Sequence, residues 1–195
     1  MEANVTLLAD ARKMDPDALI EIFDLYASAL YKYANRLCNN AIAADQIVGD
    51  IFVKLLEQLK AGKGPSLNLR SYLYEMAYNL IIDEARHSHR WTPLDVFEET
   101  KATGYSVSGS AEERVLLEAV LQSIINNLTD DQRHVIILRF LEGFGLKETA
   151  AIIGKKVNNV KVIQNRAIAA LREALEYQTV DTNAISLTIP SMSHN

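Results

Sequence analysis

Cysteine is nearly absent: Cys38 is the one thiol in 195 residues, which rules out an internal disulfide framework and fits a reducing cytosol. It lies among Tyr33, Ala34 and Leu37, the setting of a buried inert thiol rather than of a nucleophile. Glycine (8) and proline (4) are scarce, the mark of a mostly helical chain. No apolar run approaches the ~18 residues needed to cross a bilayer. The opening Met-Glu-Ala-Asn has neither the positive nor the apolar region of a signal peptide. A cytoplasmic chain without membrane insertion is the expectation. Cations are in deficit, 20 Lys and Arg against 25 Asp and Glu for a net charge of −5, so any nucleic-acid contact is confined to local patches. Catalytic sets are missing too: there is no Gly-rich phosphate loop, no Ser or Cys elbow and no zinc-ligand spacing, and His87 and His89 share no helix face. No enzymatic activity, cofactor, metal or small-molecule substrate is expected.

What the chain does have is 49% apolar content, ample for packed cores, and one acid-free stretch, Lys155 to Arg172. Val160, Ile163, Ala167, Ala170, Leu171 and Ala174 recur at three and four residues, which gives a helix one buried face. Asn158, Lys161, Val162, Asn165 and Arg172 point the other way, with Asn159 and Arg166 on the flank. A helix with a dry back and an amide-and-cation front suits the DNA major groove, where amides bond base edges and cations neutralise phosphates. Leu146, Thr149, Ala150 and Ile153 mark a short helix before it, and Gly154 sits where a left-handed residue is needed. The pair reads as a helix-turn-helix with Val157 onward as recognition helix; an ordinary helical hairpin with a solvated face is the other reading.

In chain order, Asp15-Pro16 opens a helix as capping carboxylate and first-turn proline, with Ile22, Phe23, Tyr26, Leu30, Tyr33, Ala34 and Leu37 as its apolar stripe. A second helix, about Ala43 to Leu59, turns Ile47, Val48, Ile51, Phe52, Leu55, Leu56 and Leu59 inward, leaving Asp45, Gln46, Asp50, Lys54 and Glu57 for the surface. A Gly- and Pro-containing loop, Ala61 to Asn68, leads to a third helix, about Leu69 to His89. Along it Tyr72, Asn79, Asp83, Arg86 and Arg90 share a face: an aromatic, an amide and two arginines, the inventory for holding an unstacked base and its phosphates. A tyrosine capping the core beside paired helix charges is the equal alternative. Trp91 to Gly109 loses periodicity and reads as a linker. Capping boxes Ser110/Glu113 and Thr129/Gln132 then restart helix, with Leu117, Val120, Leu121, Ile124, Ile125 and Leu128 inward in the first and Val135, Leu138 and Leu141 in the second. Tyr177 to Asn195 reads as a flexible tail, with Ala184 to Ile189 able to pair as a strand.

The order of parts resembles an extracytoplasmic-function (ECF) sigma factor of the sigma-70 family. Ala44-Asp45-Gln46-Ile47-Val48-Gly49-Asp50-Ile51-Phe52-Val53-Lys54 looks like the family's polymerase-binding helix, and Arg70-Ser71-Tyr72 through Asn79 to Asp83-Glu84-Ala85-Arg86 is similar to its promoter-melting helix. Leu128-Thr129-Asp130-Asp131-Gln132-Arg133 and Val157-Asn158-Asn159-Val160-Lys161 with Arg166-Ala167 match its upstream-element reader. The resemblance implies an all-α fold of two small helical domains joined by a flexible linker, the second a four-helix domain ending in the helix-turn-helix. Residues 1–90 would be the region-two domain, 91–109 the linker, 110–176 the region-four domain and 177–195 the tail.

It also implies roles. Asp45, Gln46, Asp50 and Lys54 would dock on the β′ clamp coiled coil of core RNA polymerase, and the second domain would rest on the β flap. Lys63, Asn68, Leu69, Tyr72, Asn79, Asp83, Arg86 and Arg90 would hold and melt the minus-ten element. Lys155, Lys156, Asn158, Asn159, Lys161, Val162, Asn165 and Arg166 would read the minus-thirty-five element. Promoter DNA, core polymerase and an anti-sigma factor are the implied partners. Gln46 and Gly49 stand where the family commonly has an acid and a glutamine, and Tyr72 replaces the usual tryptophan. The rival reading is a polymerase-independent, dimeric helix-turn-helix regulator, which has no need of the Tyr72–Asn79–Arg86 face.

Overall fold

The computed structural model describes residues 2–65, 67–88 and 126–186, with side chains at 6–65, 67–86 and 126–174. Every described element is helical. Four helices form a first bundle: α1 (Glu2–Arg12), α2 (Pro16–Cys38), α3 (Ala41–Lys60) and α4 (Leu69–Ser88). A second unit follows: α5 (Asp130–Ile136), a π-helical turn (Ile137–Leu141), α6 (Leu146–Ile152) and α7 (Val157–Ser186).

Local chemistry sets the boundaries. Pro16 opens α2 after an extended Asp15, but the Asp15 side chain makes no capping hydrogen bond, so proline geometry starts this helix without a carboxylate cap. Asn39, left-handed at φ 50°, ends α2, and Asn40 caps α3 by accepting the Ala43 N–H at 3.1 Å. Asn68, also left-handed, accepts the Ser71 N–H at 3.3 Å and so starts α4. The Thr129 N–H donates to Gln132 Oε1 at 3.0 Å, the side-chain half of the expected capping box.

Sequence periodicity does not reveal α1. Its Leu7, Leu8 and Ala11 are buried against the bundle, and Arg12 reaches across to the Gly64 carbonyl at 3.0 Å. Two apolar assignments change: Phe23 and Leu56, both expected inward, are exposed. Phe23 instead pairs with half-buried Phe52 at 4.8 Å between ring centroids.

The π-helical turn solves a packing problem. His134 to Leu138 are five consecutive buried residues, more than one face of an α-helix can supply. Widening the turn at Ile137 lets Val135, Ile137 and Leu138 join the main core while Ile136 packs in a separate cluster with Leu128 and Ala167. That main core is continuous, running from Leu7 and Ile22 through Tyr33, Leu55 and Tyr74 to Phe144, Ile152 and Val160. The first bundle and the second unit are thus packed on one another. Helix α7 continues to Ser186, so residues 177–186 are helical where a loose tail and the start of a strand were expected. The linker at 91–109, the Ser110/Glu113 capping box, the stripe from Leu117 to Ile125, and residues 187–195 lie outside the described residues.

Candidate nucleic-acid and polymerase interfaces

The helix-turn-helix is built as its sequence predicts. The turn between α6 and α7 passes through Gly154 at φ +63°, a conformation that strains any side-chain-bearing residue. The Lys155 N–H donates to the Ala150 carbonyl at 2.9 Å and closes α6. Ala150 and Val160 are buried in the main core, while Ala167 packs with Leu128 and Ile136. Lys156, Asn158, Asn159, Lys161, Asn165 and Arg166 are exposed, and Val162 adds an apolar spot at 48% exposure. Lys155 differs from its neighbours: Asp131 holds its ammonium at 2.8 Å, and that hydrogen bond pushes the lysine pKa up.

Arg139, on the π-helical turn, is a residue that sequence reasoning missed. Its Nε donates to Gln164 Oε1 on α7 at 3.0 Å and its Nη1 to the Phe144 carbonyl, which ties the recognition helix to the loop before α6. No periodicity marks it, because an arginine in that register reads as a solvated charge.

On α4 the expected stripe faces outward. Asn79, Asp83 and Arg86 are exposed, and Asp83 pairs with Arg86 at 3.2 Å. Tyr72 is half-buried against the core. Lys63 and Asn68 are exposed on the loop before α4. Leu69 departs from this set: at 6% exposure it anchors the start of α4 in the core and presents no face to a ligand. Arg90 lies outside the described residues.

On α3, Asp45, Gln46, Asp50 and Lys54 are all exposed. Between them the outward face carries Ile42 and Val53, exposed at 63% and 54%, with the Phe23–Phe52 pair alongside. An apolar strip rimmed by acid is the anatomy of a protein-docking surface. Gly49 lies in the same strip, mid-helix, and a Cβ there would meet nothing within 4 Å. Gly49→Ala is therefore expected to stabilise the chain by about 0.5–1 kcal/mol, through the entropy a glycine loses in a helix. Urea unfolding measures this, and an unchanged or lower midpoint would contradict it.

Between the first bundle and the second unit lies a buried polar seam that the sequence does not show. Tyr33 Oη and His134 Nδ1 are 2.7 Å apart, both buried. Tyr78 meets the His134 ring edge-on at 4.7 Å. Tyr74 Oη donates to a carboxylate oxygen of buried Glu142, and Arg70 donates to the Glu142 carbonyl while its guanidinium lies 4.1 Å over the Phe144 ring. Burial holds the His134 pKa down to about 4, so the imidazole is neutral near pH 7. Burial, then the Glu142 charge, drives the Tyr74 phenol up, and burial pushes the Cys38 thiol up to about 11, as befits an inert cysteine.

The Sigma-70 region 2 family matches residues 22–92, and the Sigma-70, region 4 family matches residues 124–173. The chain is 25% identical, over 87% of its length, to the ECF RNA polymerase sigma factor BldN of Streptomyces coelicolor, of which it spans 64%. It is 25% identical, over 86% of its length, to the ECF RNA polymerase sigma factor SigW of Bacillus subtilis, of which it spans 94%. Among solved structures it is similar in fold to CnrH, determined with the cytosolic domain of CnrY, at TM-score 0.69 and 23% identity over 90% of this chain and 98% of that one. It also resembles the sigma factor RpoE in complex with the anti-sigma factor NepR from Bartonella quintana, at TM-score 0.62 and 26% identity over 80% and 95% of the two chains.

Proposed function

The chain belongs to the sigma-70 family, in its extracytoplasmic-function branch, and from that premise we propose how its faces divide the work of starting transcription. It binds core RNA polymerase through the apolar, acid-rimmed face of α3, and it reads two separated promoter elements with its two halves. The outward face of α7 enters the major groove at the minus-thirty-five element. The loop at Lys63–Asn68 and the stripe Tyr72, Asn79, Asp83 and Arg86 on α4 take the melted strand at minus-ten. The chain carries no catalysis of its own; the polymerase supplies it. An anti-sigma factor is the partner expected to hold it in reserve, as NepR is the partner of the related RpoE.

The outward face of α7 from Val157 to Arg172, free of acid and exposed along Asn158, Lys161, Val162 and Asn165, is the observation that carries this assignment. A net charge of −5 makes the chain alone a poor ligand for duplex DNA, which suits a subunit delivered by its polymerase. A polymerase-independent regulator is not favoured, because a region-two match stands beside the region-four match. Run-off transcription with cognate core polymerase over a pool of genomic promoters tests the assignment. RNA should start from a subset of promoters only when both components are present; silence at every promoter would overturn it.

The recognition helix makes a sharper demand. In the assembled holoenzyme, Lys161→Ala should lower the salt slope of promoter binding by about one, as a lost phosphate contact does. Asn165→Ala should cost about 1–3 kcal/mol on the preferred upstream element and nothing on a scrambled one. If both variants keep the parent's affinity and slope, α7 does not lie in the groove.

A further inference from the structure

Helix α1 ends beside the loop that joins α3 to α4. A tight corner fixes that end: Met14 is left-handed at φ 61°, and the Asp15 N–H donates to the Asp10 carbonyl at 3.2 Å. Leu7, Leu8 and Ala11 are buried, which holds the helix against rolling and directs Arg12 over the loop. There Arg12 Nη2 donates to the Gly64 carbonyl at 3.0 Å, across 52 positions of sequence. Neighbouring Lys13 takes the local acid, Asp10, at 2.9 Å, which leaves the Arg12 guanidinium to the loop. The loop is also placed at both ends. Gly62, left-handed at φ 69°, and the Lys63 N–H on the Gln58 carbonyl at 2.8 Å close α3, while left-handed Asn68 opens α4. Between them Gly64 lies directly on the core: a Cβ there would stand 2.6 Å from Cδ2 of buried Leu59. Lys63 and Leu67 face solvent, Leu67 at 73% exposure.

We propose that Arg12 is a positioning residue for capture of the melted strand, and that α1 is the buttress through which it acts. The proposal rests on the promoter-reading role argued above and adds a residue outside the faces named there. A single exposed hydrogen bond contributes little to the stability of the whole bundle. Its effect is local. Gly64 is pressed between the Leu59 side chain beneath it and the Arg12 guanidinium beside it, so Lys63 and Pro65 on either side inherit its placement. A loop that must be ordered on binding spends part of its contact energy on that ordering. With Gly64 fixed beforehand, the strand meets a surface already formed.

Amide hydrogen exchange of the free chain and strand binding by the holoenzyme test this together. Arg12 is exposed, so Arg12→Ala leaves no hole. Exchange should quicken at Gly62 and Lys63, whose N–H groups are bonded in the parent, and stay unchanged around buried Leu73 and Ala77. The strand probe is a single-stranded oligonucleotide with the non-template minus-ten sequence of a promoter selected by run-off transcription. Holoenzyme carrying Arg12→Ala should bind it about 3- to 10-fold more weakly, with polymerase co-migration and the salt slope unchanged. Arg12→Lys, which keeps a donor, should recover part of both effects. Gly64→Ala, which lifts the loop off Leu59, should also weaken strand binding, and adding Arg12→Ala to it should cost less than Arg12→Ala alone. Unchanged exchange in Arg12→Ala, or fully additive losses in the double variant, would overturn the proposal. A salt slope lowered by about one would do so too, because it marks Arg12 as a direct phosphate contact. If the parent holoenzyme fails to bind the strand, the promoter-reading role falls instead, and exchange in the free chain still decides whether Arg12 holds the loop.

Discussion

Lowering the pH from 7 to about 4.5 is expected to remove about 2–3 kcal/mol of folding stability through His134 alone. This imidazole is 2% exposed, and burial holds its pKa down to about 4 against an ordinary 6.5. The remaining influences are smaller: Asp130 and Asp131 pull the value up and Arg133 pushes it down, while the α2 and α4 groups facing the ring are the Tyr33 hydroxyl and the Tyr78 ring. In the unfolded chain the imidazole takes its proton as pH falls past 6.5; in the folded chain it does so only near 4. Between those values the unfolded state binds more protons, so stability present above pH 6.5 is lost progressively as pH falls towards 4. Urea unfolding of the parent and of His134→Phe at both pH values isolates the effect. Phenylalanine cannot pair with the Tyr33 hydroxyl, so the variant starts lower at pH 7, but its acid-induced loss should be smaller by about 2–3 kcal/mol. Equal acid losses in the two proteins would dismiss His134 as the titrating group.

Asn79→Ala should cripple promoter opening while sparing polymerase assembly. Asn79 stands exposed on α4, on the face shared with Tyr72 and Asp83 and away from the buried Leu73, Ala77 and Ile81, so its loss costs the fold little. A carboxamide can bond a displaced base by donor and acceptor together, worth about 1–3 kcal/mol, or roughly 5- to 150-fold in the opening equilibrium. The proposed polymerase face lies on α3 and leaves that helix untouched by the change. Permanganate reactivity of unpaired thymines reports opening, and co-migration with core polymerase reports assembly. A variant that loses both equally, or neither, contradicts a strand-holding role for Asn79.

Features that depend on one helix were legible in the sequence. The turn at Gly154, the buried seam Val160–Ala167, the exposed amides of α7 and the outward stripe of α4 all follow from three-four spacing and left-handed turn chemistry. Features that depend on two distant segments were not. Tyr33 and His134 are separated by 101 positions, and nothing local in either residue announces a partner. Glu142 reads as a surface acid because charge normally seeks water; only the approach of Tyr74 and Arg70 makes its burial tenable. Phe23 and Leu56 fit an inward stripe by spacing yet face out, since periodicity gives an apolar arc wider than the neighbouring helix covers. The end of α7 was misread for a related reason: after Glu176 the residues become polar and individually weak helix formers, but no glycine or proline intervenes before Ser186, and an established helix propagates where a new one would not nucleate.

That unbroken α7 has a mechanical consequence. Thirty residues of helix make a rod of about 45 Å, at about 1.5 Å per residue. Its first turns carry the amides proposed for the groove, so the far end would behave as a lever arm: a tilt of a few degrees at the start of the helix is magnified into a sweep of a few ångströms near Ser186. Whatever grips that distal stem gains leverage over how the other end seats, without touching a base.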